Sequence, residues 1–222
     1  MQGAHDLGGK HGLGFIKPEP ENEEPVFHTD WERKVFGLTM AAGMLGKWNI
    51  DESRYSRECQ HPIDYLSHSY YENWLAGLTK LLIEKDLISD EELKANSVSP
   101  SATLHGELRV PSPQDAKKIL TSGGSSLLET AKEQAFSIGD SVRVRKNHTT
   151  GHTRAPSYVQ GSIGTIFKCF GCHVFPDTHA KGIEGGENLY TVCFTGQSLW
   201  GIPASNSEVL IDLWEPYLEV AE

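Results

Sequence analysis

Two arginines and one cysteine pair are the residues that could do chemistry in this sequence. Arg54 stands in Asp51-Glu52-Ser53-Arg54-Tyr55-Ser56-Arg57, and Arg154 in Gly151-His152-Thr153-Arg154-Ala155-Pro156. A guanidinium offers a planar fork of donors that suits an oxyanion. A surface arginine is more often only solvated, so spacing alone leaves both readings open. Cys169-Phe170-Gly171-Cys172, followed by His173 and His179, could begin a zinc or redox site. A structural zinc site needs a second pair at a set distance. Here His173 abuts Cys172, and Cys59 and Cys193 are isolated. We read the pair as two cysteines at a strand end and turn, and expect no metal on this chain.

Other catalytic signatures are missing. No G-x-S-x-G elbow and no H-E-x-x-H helix occurs. The carboxylates gather between Glu19 and Glu24 and in helix caps, where solvation and dipole matching account for them, so no acid pair stands out. The early glycines Gly3, Gly8, Gly9, Gly12 and Gly14 do not make a phosphate loop, because no strand precedes them and Lys10 lacks the G-K-[ST] setting. On chemistry alone the chain reads as a binding module or as part of an enzyme.

The elements that must hold these residues follow from pattern. The 222 residues suffice for one large domain or two small ones. With 20 basic and 30 acidic residues the formal charge is -10, which does not attract phosphate backbones. Neither a signal peptide nor a run of eighteen apolar residues is found. Four cysteines do not make a disulfide scaffold. Reduced thiols in a cytoplasmic protein are the expectation.

Residues 1–28 form a glycine-rich, then Pro/Glu-rich arm that cannot bury a core of its own. Residues 29–96 read as a helical domain. Thr29 with Glu32 makes a capping box, followed by Trp31, Val35, Leu38, Ala42 and Leu45 at helical spacing, with Gly46 as the stop. A short helix fits Asp51 to Cys59, a turn starts at Pro62, and Tyr71, Trp74, Leu75, Leu78 and Leu82 share one face of a longer helix. Ser89 with Glu92 caps another, which fades near Ala95. Residues 97–134 are Ser/Pro/Gly-rich linker around Ser99, Pro100 and Ser101, with one short helix at Gln114 to Leu120. From residue 135 to 222 the period turns to two: Val142 and Val144, then Ile163 to Phe167, Leu189 to Phe194 and Val209 to Trp214. The fold expected is α+β, an arm and small helical domain before an SH3-like antiparallel β-barrel.

A long ordered series of residues resembles the beta subunit of nitrile hydratase in both domains. It includes Gly3-Ala4-His5-Asp6-Leu7-Gly8-Gly9, Glu24-Pro25-Val26-Phe27, Asp51-Glu52-Ser53-Arg54, Tyr70-Tyr71 with Trp74, Gly151-His152-Thr153-Arg154, Phe175-Pro176-Asp177, Leu199-Trp200-Gly201 and Trp214-Glu215-Pro216-Tyr217. The resemblance implies an enzyme that hydrates nitriles to amides at a low-spin Co(III) or Fe(III) ion. That ion is held on the alpha subunit by cysteines, two of them oxidised. The beta subunit wraps around alpha in an αβ or α2β2 assembly. Arg54 and Arg154 match arginines that hydrogen-bond the oxygens on those cysteines, and Tyr70 matches a tyrosine facing the pocket. Ile50, Ser53 and Trp74 fall where the substrate channel is shaped. Ser53 stands where a bulkier side chain is common, and Asn73 where some relatives have histidine. Rival readings are a thiocyanate hydrolase subunit, an activator resembling the N-terminal half, and a non-catalytic SH3-like adaptor.

Overall fold

The structure, a computed structural model, describes residues 3–98, 108, 110–130, 132–146, 149–201 and 206–221. The linker expected around Ser99, Pro100 and Ser101 lies outside the described residues. Two compact units emerge. One holds Gly3–His5 with Lys10–Gly123, the other Asp6–Gly9 with Gly124–Glu222.

The first unit is helical: α1 Asp30–Gly43, α2 Ile50–Glu58, α3 Pro62–Ser67, α4 Tyr70–Glu84, α5 Asp90–Ala95 and α6 Pro113–Ser122. Glutamates at the third helical position start four of these helices. Glu32 accepts from the Thr29 N–H, Glu52 from Asn49, Glu72 from Ser69 and Glu92 from Ser89. Each satisfies a donor that the helix start leaves open. Proline opens α3 and α6, where its missing N–H costs nothing.

The core of this unit lies where α4 meets α1 and α2, around Val35, Leu78 and Leu81. Gly77 decides how closely α2 approaches α4. A Cβ there would stand 2.5 Å from Arg57 Cγ and 2.9 Å from Ser56 Oγ. The apolar stripe expected on α1 is only half right. Val35 is buried, but Trp31 and Leu38 are exposed, while Glu32 and Thr39 are buried in their place. Both polar residues are satisfied inside: Glu32 as a capping acceptor, Thr39 by donating to the Val35 carbonyl.

The second unit carries one antiparallel sheet: β1 Ser141–Val144, β2 Ile163–Val174, β3 Gly186–Thr195, β4 Glu208–Trp214 and β5 Leu218–Val220, in the order β4-β3-β2-β1-β5. Two short helices join them, α7 Pro176–His179 and α8 Gly196–Trp200. Val142, Val144, Tyr190, Val192 and Phe194 all face the core as the alternation predicts. Gly164 lets β2 pass that core, since a Cβ there would meet Val192 Cγ1 at 2.7 Å and the Cys193 carbonyl at 2.8 Å.

Three features differ from expectation. β2 runs on to Val174, so Cys169 and Cys172 lie inside a strand, not at its end. Register shifts at Ile166/Lys168 and Cys169/Gly171 bend it there, and the run of alternation breaks at those points. β5 is three residues long, too short to leave a periodic signal. The α+β class holds, but the sheet is not closed among the described residues. β4 and β5 are its two edges, because the turn Glu215–Tyr217 carries the chain from β4 straight to a strand that pairs with β1.

That turn also holds a carboxylate network. Glu215 accepts from the Tyr190 hydroxyl at 2.5 Å, the Asn188 amide at 3.0 Å and the Ala135 N–H at 3.0 Å. Burial pushes the Glu215 carboxyl up, but these donors outweigh it and hold it below its ordinary 4.5. Its stabilisation is therefore fully present above pH 4.5 and is lost as the pH falls through the lower folded value. Glu215→Gln is expected to lower stability near neutrality and to flatten its acid dependence. Thermal melts of both proteins at about pH 7 and about pH 4 measure this.

Candidate functional site

In the helical unit the chemistry gathers on α2 and the start of α4. The Asn49 side chain caps α2, accepting from the N–H groups of Asp51 and Glu52 at 3.0 and 2.9 Å. Asp51 then sits in the first turn with its side chain only 4% exposed, and Arg54, three residues on, donates to it at 2.8 Å. The Arg54 side chain is 44% exposed, so the pair fixes one edge of its fork and leaves the rest facing outward.

One turn further, Arg57 donates to the Ser53 hydroxyl at 3.1 Å, and its guanidinium lies 4.1 Å over the Trp74 ring. Burial pushes the Arg57 guanidinium below its ordinary value. Trp74 belongs to an aromatic cluster with Tyr70, Tyr71, Phe36 and Phe27, whose neighbouring ring centroids stand 5.2 to 6.0 Å apart. Edge and tilted contacts of this kind suit aromatic quadrupoles.

Of the residues singled out by sequence, the fold brings Ser53, Tyr70 and Trp74 together, with Arg57 as their common neighbour. Tyr70 is 67% exposed and Ile50, in the first turn of α2, is 56% exposed. Ser53 is buried. Arg57 went unnoticed in the sequence. Its signal was there, four residues after Ser53, but only the packing of α4 gives it an aromatic partner.

Arg154 lies in the other unit, in the stretch between β1 and β2. The backbone on either side of it is tied down while its side chain is exposed. The Arg154 N–H donates to the Tyr217 hydroxyl at 3.2 Å, and that hydroxyl donates to the Asp177 carboxylate. Burial pushes the Asp177 carboxyl up, against the bonds it accepts from Tyr217 and Thr153. The Ala155 N–H meets Thr153 Oγ1 at 3.4 Å, and Ala155 is buried. Just beyond, the Ser157 N–H donates to Asp6 at 3.1 Å, and the Gly8-Gly9 backbone lies against Tyr158. The loop is thus held from within, which is what presenting an outward guanidinium requires.

Among the described residues no three His, Cys, Asp or Glu side chains group as metal ligands. All four cysteines are free, and burial pushes the thiols of Cys169 and Cys193 up. No helix among the described residues is long and apolar enough to cross a membrane.

Comparison with known proteins fits these features. The family model for the nitrile hydratase beta subunit, N-terminal, matches residues 1–121, and that for its C-terminal part matches residues 125–220. The low-molecular weight cobalt-containing nitrile hydratase subunit beta of Rhodococcus rhodochrous is 40% identical over 227 residues, covering 98% of this chain and 99% of that protein. The cobalt-containing nitrile hydratase subunit beta of Pseudonocardia thermophila is 34% identical, covering 100% of this chain and 97% of that one. Thiocyanate hydrolase subunit beta of Thiobacillus thioparus is more distant, 28% identical over 90 residues and 40% of this chain. Matched in both halves and along its whole length, the chain belongs to the nitrile hydratase beta subunit family.

Proposed function

We propose that this chain is the beta half of a nitrile hydratase, which completes with an alpha subunit the site that adds water to a nitrile carbon to give an amide. The observation that carries this reading is the pair of arginines in a chain of this family. Arg54 is clamped by a buried aspartate and Arg154 by an anchored backbone, and both guanidinium groups face outward.

Arg54 and Arg154 hydrogen-bond the sulfenate and sulfinate oxygens on the alpha subunit's oxidised cysteines. Buried anions without partners are costly, and two charge-assisted forks fix their orientation and ionisation. The Co(III) or Fe(III) ion, held by the alpha subunit, supplies Lewis-acid polarisation. Cobalt is the metal named for two relatives, and the donors of the alpha chain make the choice. The residues of this chain form no ligand set for that ion among those described, and they fit the role of surrounding donors. Tyr70, exposed at the start of α4, hydrogen-bonds water beside the reacting nitrile. Ile50 and Trp74 line the substrate channel, with Ser53 behind them.

The remaining architecture belongs to the same reading. The arm of residues 1–28 lies along the alpha subunit beyond its own-chain contacts at Asp6 to Gly9, 29–96 form the helical domain, 97–134 the linker, and 135–222 an SH3-like barrel. The register shifts of β2 and the pairing of β5 with β1 support the barrel. The assembly is αβ, doubled to α2β2, in the cytoplasm.

Co-expression with the cognate alpha chain, followed by product analysis on a simple nitrile and on thiocyanate, tests this. Amide from the nitrile and no carbonyl sulfide from thiocyanate is expected. Turnover of thiocyanate alone would favour the hydrolase reading, and no turnover of either would favour a non-catalytic adaptor.

A further inference from the structure

Arg57 is a half-buried cation that the roles above do not use. Among the described residues no carboxylate forms a salt bridge with it, and Asp51 of the same helix is paired with Arg54. Its environment is aromatic instead: the indole of Trp74 lies under the guanidinium, with Tyr70 and Tyr65 nearby. Three contacts hold it. The stem lies on Gly77, where a Cβ would come within 2.5 Å of Arg57 Cγ, the tip is bonded to Ser53, and the planar face rests on Trp74.

A methionine would fill the same space on Gly77 without the cost of desolvating a charge. What the guanidinium adds is the cation over the indole and the donor on Ser53. Ser53 is 7% exposed, so its hydroxyl meets Arg57 and not an incoming molecule. Trp74, by contrast, is only half-buried. Without the guanidinium nothing polar among these contacts would hold the indole in place. Its ring neighbours Tyr70, Tyr71 and Phe36 meet it in tilted contacts with no hydrogen bond among them.

We propose that Arg57 is a specificity-determining residue, which pins the Trp74 indole and covers Ser53, and so sets the width open to a nitrile beside Trp74. This rests on reading the chain as a nitrile hydratase beta subunit. Arg57 acts through Trp74 and is a positioning residue, so its signature is selectivity and not rate.

The test uses the full complex with the alpha subunit, comparing wild type, Arg57→Met, Arg57→Lys and Trp74→Phe on acetonitrile and benzonitrile. In Arg57→Met the benzonitrile-to-acetonitrile ratio of kcat/KM is expected to rise about tenfold, through KM more than kcat. Arg57→Lys, which keeps a cation but not the fork, falls between. The near-UV dichroism assigned to Trp74, taken as wild type minus Trp74→Phe, weakens in Arg57→Met. In a Trp74→Phe background most of the Arg57→Met effect on the ratio is lost, because Arg57 acts mainly through the indole. An active wild type with a ratio that stays within about twofold in Arg57→Met overturns the inference alone, as does an equal loss of kcat on both nitriles. A wild-type complex that hydrates no nitrile removes the proposed function, and this inference with it.

Discussion

Replacing Arg54 by lysine in the complex is expected to lower kcat/KM by at least about a hundredfold while the protein stays folded. The magnitude follows from the partner it would leave. Removing one member of a buried charge-assisted pair costs about 3–5 kcal/mol, and each 1.36 kcal/mol is about tenfold in rate. Lysine keeps the charge but has a single donor head. It can reach Asp51 or an oxyanion on the alpha subunit, whereas the arginine fork bonds Asp51 through Nη1 alone and keeps its other donors. Folding is spared because lysine keeps a positive charge beside the buried Asp51, on the solvent-open side of the pair. Arg154→Lys should behave alike, since the Tyr217 bond is made by its backbone and survives the substitution. Steady-state kinetics beside a thermal melt separate the two effects. Turnover close to wild type in both variants would remove the role assigned to the arginines.

Tyr217→Phe is expected to destabilise the sheet unit by about 3 kcal/mol. The hydroxyl accepts from the Arg154 N–H and donates to Asp177, so its loss removes the acceptor of one group and one of the two side-chain donors, Tyr217 and Thr153, of the other. Asp177 is the costlier of the two, because burial already pushes its carboxyl up. Its contribution also has a definite pH sense. A raised folded value means the ionised form is penalised in the fold, so acidification through that value relieves the penalty. The Tyr217→Phe loss should therefore shrink at low pH, when Asp177 becomes neutral. Denaturant melts of the variant and wild type at neutral and acidic pH check both the size and the slope. A loss under about 0.5 kcal/mol would mean that the network does not hold the loop.

Much of this was legible from residue types alone. The capping boxes at Thr29 and Ser89 are local, and local chemistry survives into the fold. So did the alternation that buries Tyr190, Val192 and Phe194. Features that depend on partners distant in sequence were not legible. The inner face of α1 is a separate case, where local bonds of Glu32 to the Thr29 N–H and of Thr39 to the Val35 carbonyl make their burial cheap. β2 outran its periodic signal because register shifts break the alternation. Arg57 became visible only once Gly77 let α4 bring Trp74 beneath it. Arg54 and Arg154 stood out in the sequence through family resemblance, and composition alone gave them no more weight than any surface arginine.

The chain as half of an enzyme is the claim on which the rest depends, and a titration tests it most directly. Purified chain is added in steps to a fixed amount of metal-loaded alpha subunit, and amide formation is followed. Activity should be absent from this chain alone, rise with each addition and break at one equivalent, with the metal remaining on the alpha subunit throughout. Nitrile hydration by this chain alone, or activity indifferent to its addition, would contradict the shared site.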